Sequence, residues 1–391
     1  MPATTRVLVL HNRYRIAGGE ERSVELQLRA LQRAGVEHRL IERRSGEAGR
    51  ARAAAALLRG GWGEREVAAA VRDSGAGVVH VHNMLPLFGP RALSGARAAG
   101  ASVVLHLHNL RLFCSIAVAA RDGGPCFRCH GRLTLPGLVL NCRGSLPESA
   151  AYTAALALHQ PRVLEAVDRF VAPSHYAAGQ LALLGLPRER IEVLAHYLPE
   201  ASFAERSHAA EGRYALVAAR LSPEKGVDVA VRAAARAGVP LRIAGEGPAS
   251  QEIASLARTA GGSAELLGRL DREALARELL GAAMVLMPSR YHEFSPYSAL
   301  EAMAAGVPVI ATRMGGLPEL IGAERCVAIN DIDDLAGRIR TLWHDPELRR
   351  SEGEALLASA RSGHAEGRFT RELLGIYERL EAPSASRTSA Q

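Results

Sequence analysis

Pro288-Ser289-Arg290-Tyr291-His292-Glu293-Phe294-Ser295-Pro296-Tyr297-Ser298-Ala299-Leu300-Glu301-Ala302-Met303-Ala304-Ala305-Gly306-Val307-Pro308-Val309-Ile310-Ala311-Thr312 is the stretch around which the chain reads. An apolar run, Ala283 to Met287, precedes it and has the length and composition of a buried strand. Small residues from Ala302 to Gly306 lead into a second apolar run, Val307 to Ala311. Strand, loop, helix, strand is the repeating unit of a parallel sheet. Open α/β sheets bind ligands in the loops at the carboxyl ends of their strands. Glu293 falls in such a loop and Glu301 on the helix after it, eight positions on. That separation is too large for a shared proton but lets both acids face one ligand at the helix N-terminus.

Outward from this block the same unit recurs. Arg6 to Leu10 reads as a strand, followed by Gly18-Gly19, a helix from Glu21 to Ala34 and a strand beginning at His38. A glycine pair at a helix N-terminus can present bare N–H groups to an anion, although a plain turn explains it as well. Further strands are expected at 77–81, 102–107, 169–172, 191–194, 214–219, 241–244, 264–267 and 325–329. With 391 residues, the chain is expected to form two doubly wound, Rossmann-like α/β domains, the first from 1 to 198 and the second from 213 to 366. A linker from 199 to 212 separates them, a helix follows at 367–381, and the Ser- and Ala-rich tail from 382 is expected to be disordered.

In the second domain, Arg220-Leu221-Ser222-Pro223-Glu224-Lys225-Gly226 follows a strand. Ser222 reads as an N-cap with Pro223 at the first helical position and Lys225 in the first turn. A cation there is unfavourable unless an anion is bound beside it. A diphosphate held by Arg220 and Lys225 resolves the conflict. Lys225 is the one lysine in a chain with 48 lysines and arginines, which suggests that a compact ammonium is needed at this point. The strand-end turn Gly245-Glu246-Gly247-Pro248 and the edge Gly268-Arg269 complete this face.

The first domain carries His80, His82, His106 and His108 at the ends of two strands. Side chains alternate along a strand, so His106 and His108 point the same way. Each is as well explained as a satisfied structural histidine as a site residue. Cys114, Cys126, Cys129 and Cys142 have the spacing C-x11-C-x2-C-x12-C in a Gly- and Pro-rich segment, about 110–146. Four thiols including a C-x-x-C knuckle match structural zinc, and reduced or redox-active cysteines are the alternatives.

Residues 1–200 hold 25 arginines and 16 acids, whereas residues 201–391 hold 23 bases and 25 acids. A basic first half fits an anionic partner such as a lipid phosphate or a membrane surface, and an arginine-rich codon bias accounts for it equally. With 4% aromatic residues and no nucleic-acid motif, base stacking is excluded as a working principle. No apolar run reaches the ~18 residues of a membrane span. The start of the chain lacks a signal-peptide pattern, so a cytoplasmic location is expected.

The opening block resembles the E-x7-E signature of retaining nucleotide-sugar glycosyltransferases of family four. The tail Glu301-Ala302-Met303-Ala304-Ala305-Gly306-Val307-Pro308-Val309-Ile310-Ala311 and the later Gly315-Gly316-Leu317-Pro318-Glu319 strengthen the likeness. Arg220 to Gly226 is similar to the family's pyrophosphate motif, and the cysteine segment to an insertion carried by a subset of its members. The resemblance implies a GT-B fold with the two domains facing a cleft and a final helix crossing back to the first. It implies transfer of a sugar, with retention, from a UDP- or GDP-sugar to a glycan, lipid-linked or small-molecule acceptor, and peripheral contact with the membrane. No D-x-D motif stands where a divalent ion would be bound, so no catalytic metal is expected. Carried over residue by residue, Arg220 and Lys225 stabilise the leaving diphosphate, Glu293 orients the sugar, Glu301 accepts from the ribose, and His108 reaches the sugar. Gly18, Gly19, Gly245, Arg269, Ser295, Pro296 and Tyr297 line the donor. Two departures bear on specificity. Phe294-Ser295-Pro296 replaces a glycine-rich loop, and Ala195-His196-Tyr197 replaces Pro-Asn-Gly. A GT-B epimerase and a non-catalytic nucleotide-sugar-binding module are the competing readings. A phosphorylase of the pyridoxal type would need a lysine, and Lys225 is already committed.

Overall fold

The computed structural model describes residues 5–13 and 18–381. The expectation for the tail from 382 lies outside the described residues. The chain divides into two compact units, one made of residues up to 118, 127–194 and 367 onward, the other of 119–126 and 195–366.

The first unit begins with β1 (Val7–Arg13), α1 (Gly19–Arg33), β2 (His38–Arg44), α2 (Arg50–Arg59), α3 (Glu64–Ser74), β3 (Val78–Val81), α4 (Gly89–Ala98) and β4 (Ser102–His106). A short antiparallel hairpin follows, β5 (Ala120–Arg121) and β6 (Gly124–Pro125), and it clusters with the second unit. The first unit then resumes with α5 (Leu135–Val139), α6 (Leu146–Ala166), β7 (Arg169–Ala172), α7 (His175–Leu183) and β8 (Ile191–Val193). α2 and α3 are separate helices because Gly60, Gly61 and Gly63 all take positive φ between them. The strands form one parallel sheet in the order β2-β1-β3-β4-β7-β8.

The second unit holds β9 (Tyr214–Ala218), α8 (Val227–Ala237), β10 (Leu241–Ala244), α9 (Ser250–Thr259), β11 (Ala264–Gly268), α10 (Arg272–Gly281) and β12 (Ala282–Met287). It continues through α11 (Tyr297–Ala304), β13 (Val309–Thr312), α12 (Leu317–Ile321), β14 (Cys326–Val327), α13 (Ile332–His344) and α14 (Pro346–Gly363). Its parallel sheet has the order β11-β10-β9-β12-β13-β14. The strand order therefore reverses between β9 and β12. Loops leaving adjacent strands at such a reversal diverge to opposite faces and open a crevice at the carboxyl ends of those strands. Every residue of β12 is buried, as a central parallel strand covered on both faces requires. The chain expected to link the domains is not plain coil. It carries short 3₁₀ turns at Glu200–Ser202 and Ala209–Glu211, and Arg349 of α14 donates to the carbonyls of Ala209 and Ala210.

The last helix, α15 (Glu366–Glu381), belongs to the first unit from residue 367 onward. Tyr377 is fully buried there, with its hydroxyl 2.8 Å from His80 Nδ1 and accepting from Gln27 Nε2 at 3.2 Å. Burial holds the His80 imidazole neutral by lowering its pKa to about 3. The folded state thus disfavours a proton that the unfolded chain accepts near pH 6.5, so this contribution is complete above that pH and is lost as pH falls below it. We expect His80 alone to lower the unfolding free energy by about 2 kcal/mol between pH 7 and pH 5. Urea unfolding at the two pH values checks this, and His80→Phe should flatten the difference.

Candidate active site

The crevice of the second unit is built from two loops, one after β9 and one after β12. The first does not enter a helix at Pro223, as the capping pattern suggested. Pro223–Lys225 is a 3₁₀ turn that ends at Gly226, with φ +64°, and α8 starts at Val227. A Cβ at Gly226 would lie 2.0 Å from the Pro288 carbonyl oxygen, so only glycine lets the two loops close on each other here. Nor does the Ser222 side chain cap a helix. Its hydroxyl donates to Glu224 Oε1 at 2.7 Å.

Closure brings Lys225 onto the second loop. Its ammonium donates to Glu293 Oε1 at 2.7 Å and to the Tyr291 hydroxyl at 2.9 Å. The Tyr291 hydroxyl donates a hydrogen bond to Glu293 Oε2 at 2.6 Å, and Ser289 donates to Oε1 at 3.0 Å. Glu293, 5% exposed, therefore accepts three hydrogen bonds from side chains of its own unit. Burial works against the charge on Lys225, yet the opposing charge of Glu293 and the bonds to Glu293 and Tyr291 raise its pKa above the ordinary lysine value. Tyr291 is likewise pushed up, by burial first and by the Glu293 charge second. The conflict of an uncompensated cation is thus met by Glu293 rather than awaiting a ligand. With two of three N–H groups used, one remains for an anion in the crevice.

Arg220 lies at the exposed rim and donates to Glu224 Oε1 at 2.6 Å. Burial opposes the charge on Glu224, but hydrogen bonds from Ser222, from its own backbone and from Arg220 hold it below the usual carboxylate range. Arg290 fixes the second loop to the first. It grips Asp228 through two 2.7 Å bonds and donates to the Pro223 carbonyl at 2.9 Å and to Asn330 at 2.6 Å. Neither Arg290 nor Asp228 was picked out from the sequence, and the available signal was only their place flanking the two loops.

The remaining second-unit residues fall on the same strand ends. Gly245 has φ +147°, its N–H bonds to the Gly268 carbonyl at 2.7 Å, and a Cβ would meet the Ala219 carbonyl oxygen at 1.8 Å. Arg269 is exposed just beyond β11. Ser295 is buried, and His196 donates from Nδ1 to its carbonyl at 3.0 Å. The His196 ring stacks on Tyr297 with centroids 4.5 Å apart. Burial lowers the His196 pKa to about 4, so this ring is a neutral support for the loop. Pro296 caps α11 and has no N–H, so the first-turn amides are those of Tyr297 and Ser298. Glu301 is half-buried on α11. Gly315 and Gly316 back the loop, with Gly316 donating to the Glu293 carbonyl at 2.6 Å.

In the first unit, Gly18 precedes α1 and its N–H is taken by Glu21 Oε2 at 2.6 Å; Gly19 opens the helix. His108 Nε2 lies 2.9 Å from His82 Nδ1, with the rings nearly coplanar. Together with Glu20, Asn109 and Arg111 these histidines line a pocket at the ends of β3 and β4. His80, His82 and His106 offer ring nitrogens within 4.8 Å of one another. A tetrahedral metal needs donors about 3.4 Å apart. His82 and His106 instead stack face to face at 5.0 Å, as neighbours on adjacent parallel strands do. Of the four cysteines, Cys114, Cys129 and Cys142 belong to this unit and Cys126 to the other, and all four are half-buried. The Cys129 thiol lies 3.7 Å from the Thr134 carbonyl.

Residues 17–196 match the family described as Glycosyltransferase Family 4, and residues 200–356 the one described as Glycosyl transferases group 1. A GDP-mannose-dependent monoacylated alpha-(1-6)-phosphatidylinositol monomannoside mannosyltransferase from Corynebacterium glutamicum is 33% identical over 174 residues, 41% of this chain and 44% of the relative. The MMP alpha-(1->4)-mannosyltransferase of Mycolicibacterium hassiacum is 30% identical over 208 residues, 49% of each chain. The chain thus spans less than half the length of these curated relatives. Among solved structures, Anabaena HepE in complex with UDP aligns over 96% of this chain and 100% of its own, with TM-score 0.66 and 14% identity. Sucrose-phosphate synthase from Thermosynechococcus elongatus aligns over 96% and 99%, with TM-score 0.72 and 18% identity. The fold is GT-B, two Rossmann-like α/β domains. Each of the two adjoining stretches is thus similar to a family of glycosyl transferases, on a GT-B fold.

The hydroxyl of Tyr291 serves both charges of the central pair. We expect Tyr291→Phe to lower the unfolding free energy by about 2 kcal/mol, since it leaves two charged groups short of a buried partner. Urea unfolding of the variant measures this, and an unchanged midpoint would show that the network carries no stability.

Proposed function

We propose that this chain is a retaining, metal-independent glycosyltransferase that takes its sugar from a UDP- or GDP-sugar and passes it to a glycan or lipid-linked acceptor. The observation that carries the reading is the Lys225 ammonium, held by Glu293 and Tyr291 at the point where the strand order of the second unit reverses. Departure of a nucleoside diphosphate develops negative charge on the bridging oxygen. A fixed cation with one N–H to spare lowers the cost of that charge without reorganising. Arg220, at the rim, adds a second cation when the diphosphate competes with Glu224 for it. The first-turn amides of α11 contribute partial positive charge.

Glu293 acts in this scheme chiefly on Lys225. A carboxylate that already accepts three hydrogen bonds is a poor nucleophile, which favours attack by the acceptor on the same face as the leaving diphosphate. Its remaining lone pair can orient a sugar hydroxyl. Glu301 would take the ribose hydroxyls, and His108, braced by His82, is the histidine proposed to contact the sugar. The relatives' names support a nucleotide-sugar donor: one is GDP-mannose-dependent, and the HepE structure holds UDP. The name of one relative, a phosphatidylinositol monomannoside mannosyltransferase, supports a lipid-linked acceptor. A cytoplasmic, membrane-peripheral location belongs to the same reading.

Calorimetric titration with UDP, GDP and ADP tests it. One of the three should bind in the absence of divalent ions, and Lys225→Ala should weaken that binding at least about tenfold, the effect of losing one charged hydrogen bond to phosphate. Unchanged affinity in the variant, or binding that requires a divalent ion, would overturn the reading.

A further inference from the structure

Residues 119–126, which hold the hairpin of β5 and β6, belong to the second unit, while the chain before and after them belongs to the first. With two residues in each strand, such a hairpin has too little of its own to be stable in water. Its turn is nonetheless well defined. Asp122 and Gly123 take φ +52° and +79°, as a two-residue type I′ turn requires, and the Cys126 N–H closes the base on the Ala119 carbonyl at 2.7 Å.

The backbone of this connection is strained. Among the described residues, five that are not glycine take positive φ, and Ala117 at +71°, Ala119 at +45° and Asp122 are three of them. A fourth, Asn330 at +60°, is where the hairpin lands. Left-handed backbone is unfavourable for alanine, which has a Cβ and no polar side chain to offset it. Such strain persists where the surroundings over-determine the conformation, and it gathers at functional sites.

Asn330 stands between β14 and α13, and its amide works in both directions. Nδ2 donates to the Gly123 carbonyl at 3.4 Å, and Oδ1 accepts from Arg290 Nε at 2.6 Å. Arg290 carries the contact into the crevice. Its two terminal nitrogens grip Asp228 at 2.7 Å each, and one of them also donates to the Pro223 carbonyl at 2.9 Å. Its backbone N–H donates to the Glu224 carbonyl at 2.8 Å. Pro223 and Glu224 lead directly into Lys225, and Arg290 leads into Tyr291, whose hydroxyl bonds to both Lys225 and Glu293. The guanidinium is a rigid planar fork. Held at its two tips alone, it can still pivot about them. The third bond, from Nε to Asn330, stops that pivot.

We propose that the hairpin of β5 and β6 is a positioning element of the crevice. Through Asn330 it fixes the plane of Arg290, and so holds the loop carrying Tyr291 and Glu293 against the loop carrying Lys225. This rests on the reading of the crevice as the seat of a nucleoside diphosphate.

Two variants of the full chain test it. Replacing residues 120–125 by an Asn-Gly turn removes the hairpin and keeps the Ala119–Cys126 bond at its base. Asn330→Asp keeps the acceptor for Arg290 and the tolerance of positive φ, but turns an oxygen instead of an N–H towards the Gly123 carbonyl. Each should weaken calorimetric binding of whichever of UDP, GDP and ADP the wild type takes by about fivefold, the loss of one neutral hydrogen bond, at an unchanged melting temperature. Each should also shift the nitrogen-15 resonance of the Lys225 ammonium in the unliganded protein, which a merely structural hairpin would leave in place. Once the hairpin is gone, Asn330→Asp should cause no further loss of affinity, because both changes break one contact. Unchanged affinity or an unchanged resonance without the hairpin would overturn the proposal and leave the reading of the crevice standing. So would losses that simply add. A wild type that binds none of the three diphosphates would instead remove that reading, and the proposal with it.

Discussion

Everything in the second unit that bears on chemistry depends on one buried ion pair, Lys225 with Glu293. An ammonium and a carboxylate removed from water are costly apart, and the pair is tolerated because Tyr291 and Ser289 meet the remaining valences. Holding the pair requires two loops, 68 residues apart in sequence, to stay in contact. Gly226 permits that contact, and the Arg290–Asp228 clasp fastens it. The arrangement is better suited to presenting a fixed cation than to maximising stability, since apolar residues of the same volume would pack such a crevice at less cost.

The parallel sheet supplies the position. Because the strand order reverses between the neighbours β9 and β12, the loops after them diverge and open a crevice at their carboxyl ends. In the first unit the strand order reverses between β1 and β3, and the ends of β3 and β4 present imidazoles instead of an ion pair. Burial keeps His80 on β3 and His11 on β1 neutral by lowering their pKa values. Neutral rings stacked on a sheet face can accept or relay a hydrogen bond without adding charge.

Much of this was legible in the sequence, for local reasons. Runs such as Ala283 to Met287 announce buried strands, the glycines after them announce turns, and the Glu293–Glu301 spacing together with Arg220 and Lys225 marks the crevice. What was not legible is non-local. The partner of Lys225 is set by tertiary closure, so the sequence pattern could suggest an absent anion where Glu293 already stood. The capping pattern at Ser222 looked helical because Pro223 suits a first turn, but Gly226 in the left-handed region ends that turn after one step. His196 was noticed only as a departure from a family pattern, and its support of Ser295 and Tyr297 needed coordinates to see.

Because Lys225 is the one lysine of the chain, it can be watched alone. Nitrogen-15 labelling of lysine side chains gives a single ammonium resonance, and a buried, hydrogen-bonded ammonium exchanges slowly enough to be seen. The account predicts that this resonance shifts saturably when a nucleoside diphosphate is added and stays put when the matching nucleoside is added without its phosphates. A resonance that no nucleoside diphosphate moves, in a protein shown to bind one, would contradict the claim that the Lys225–Glu293 pair is where the diphosphate is held.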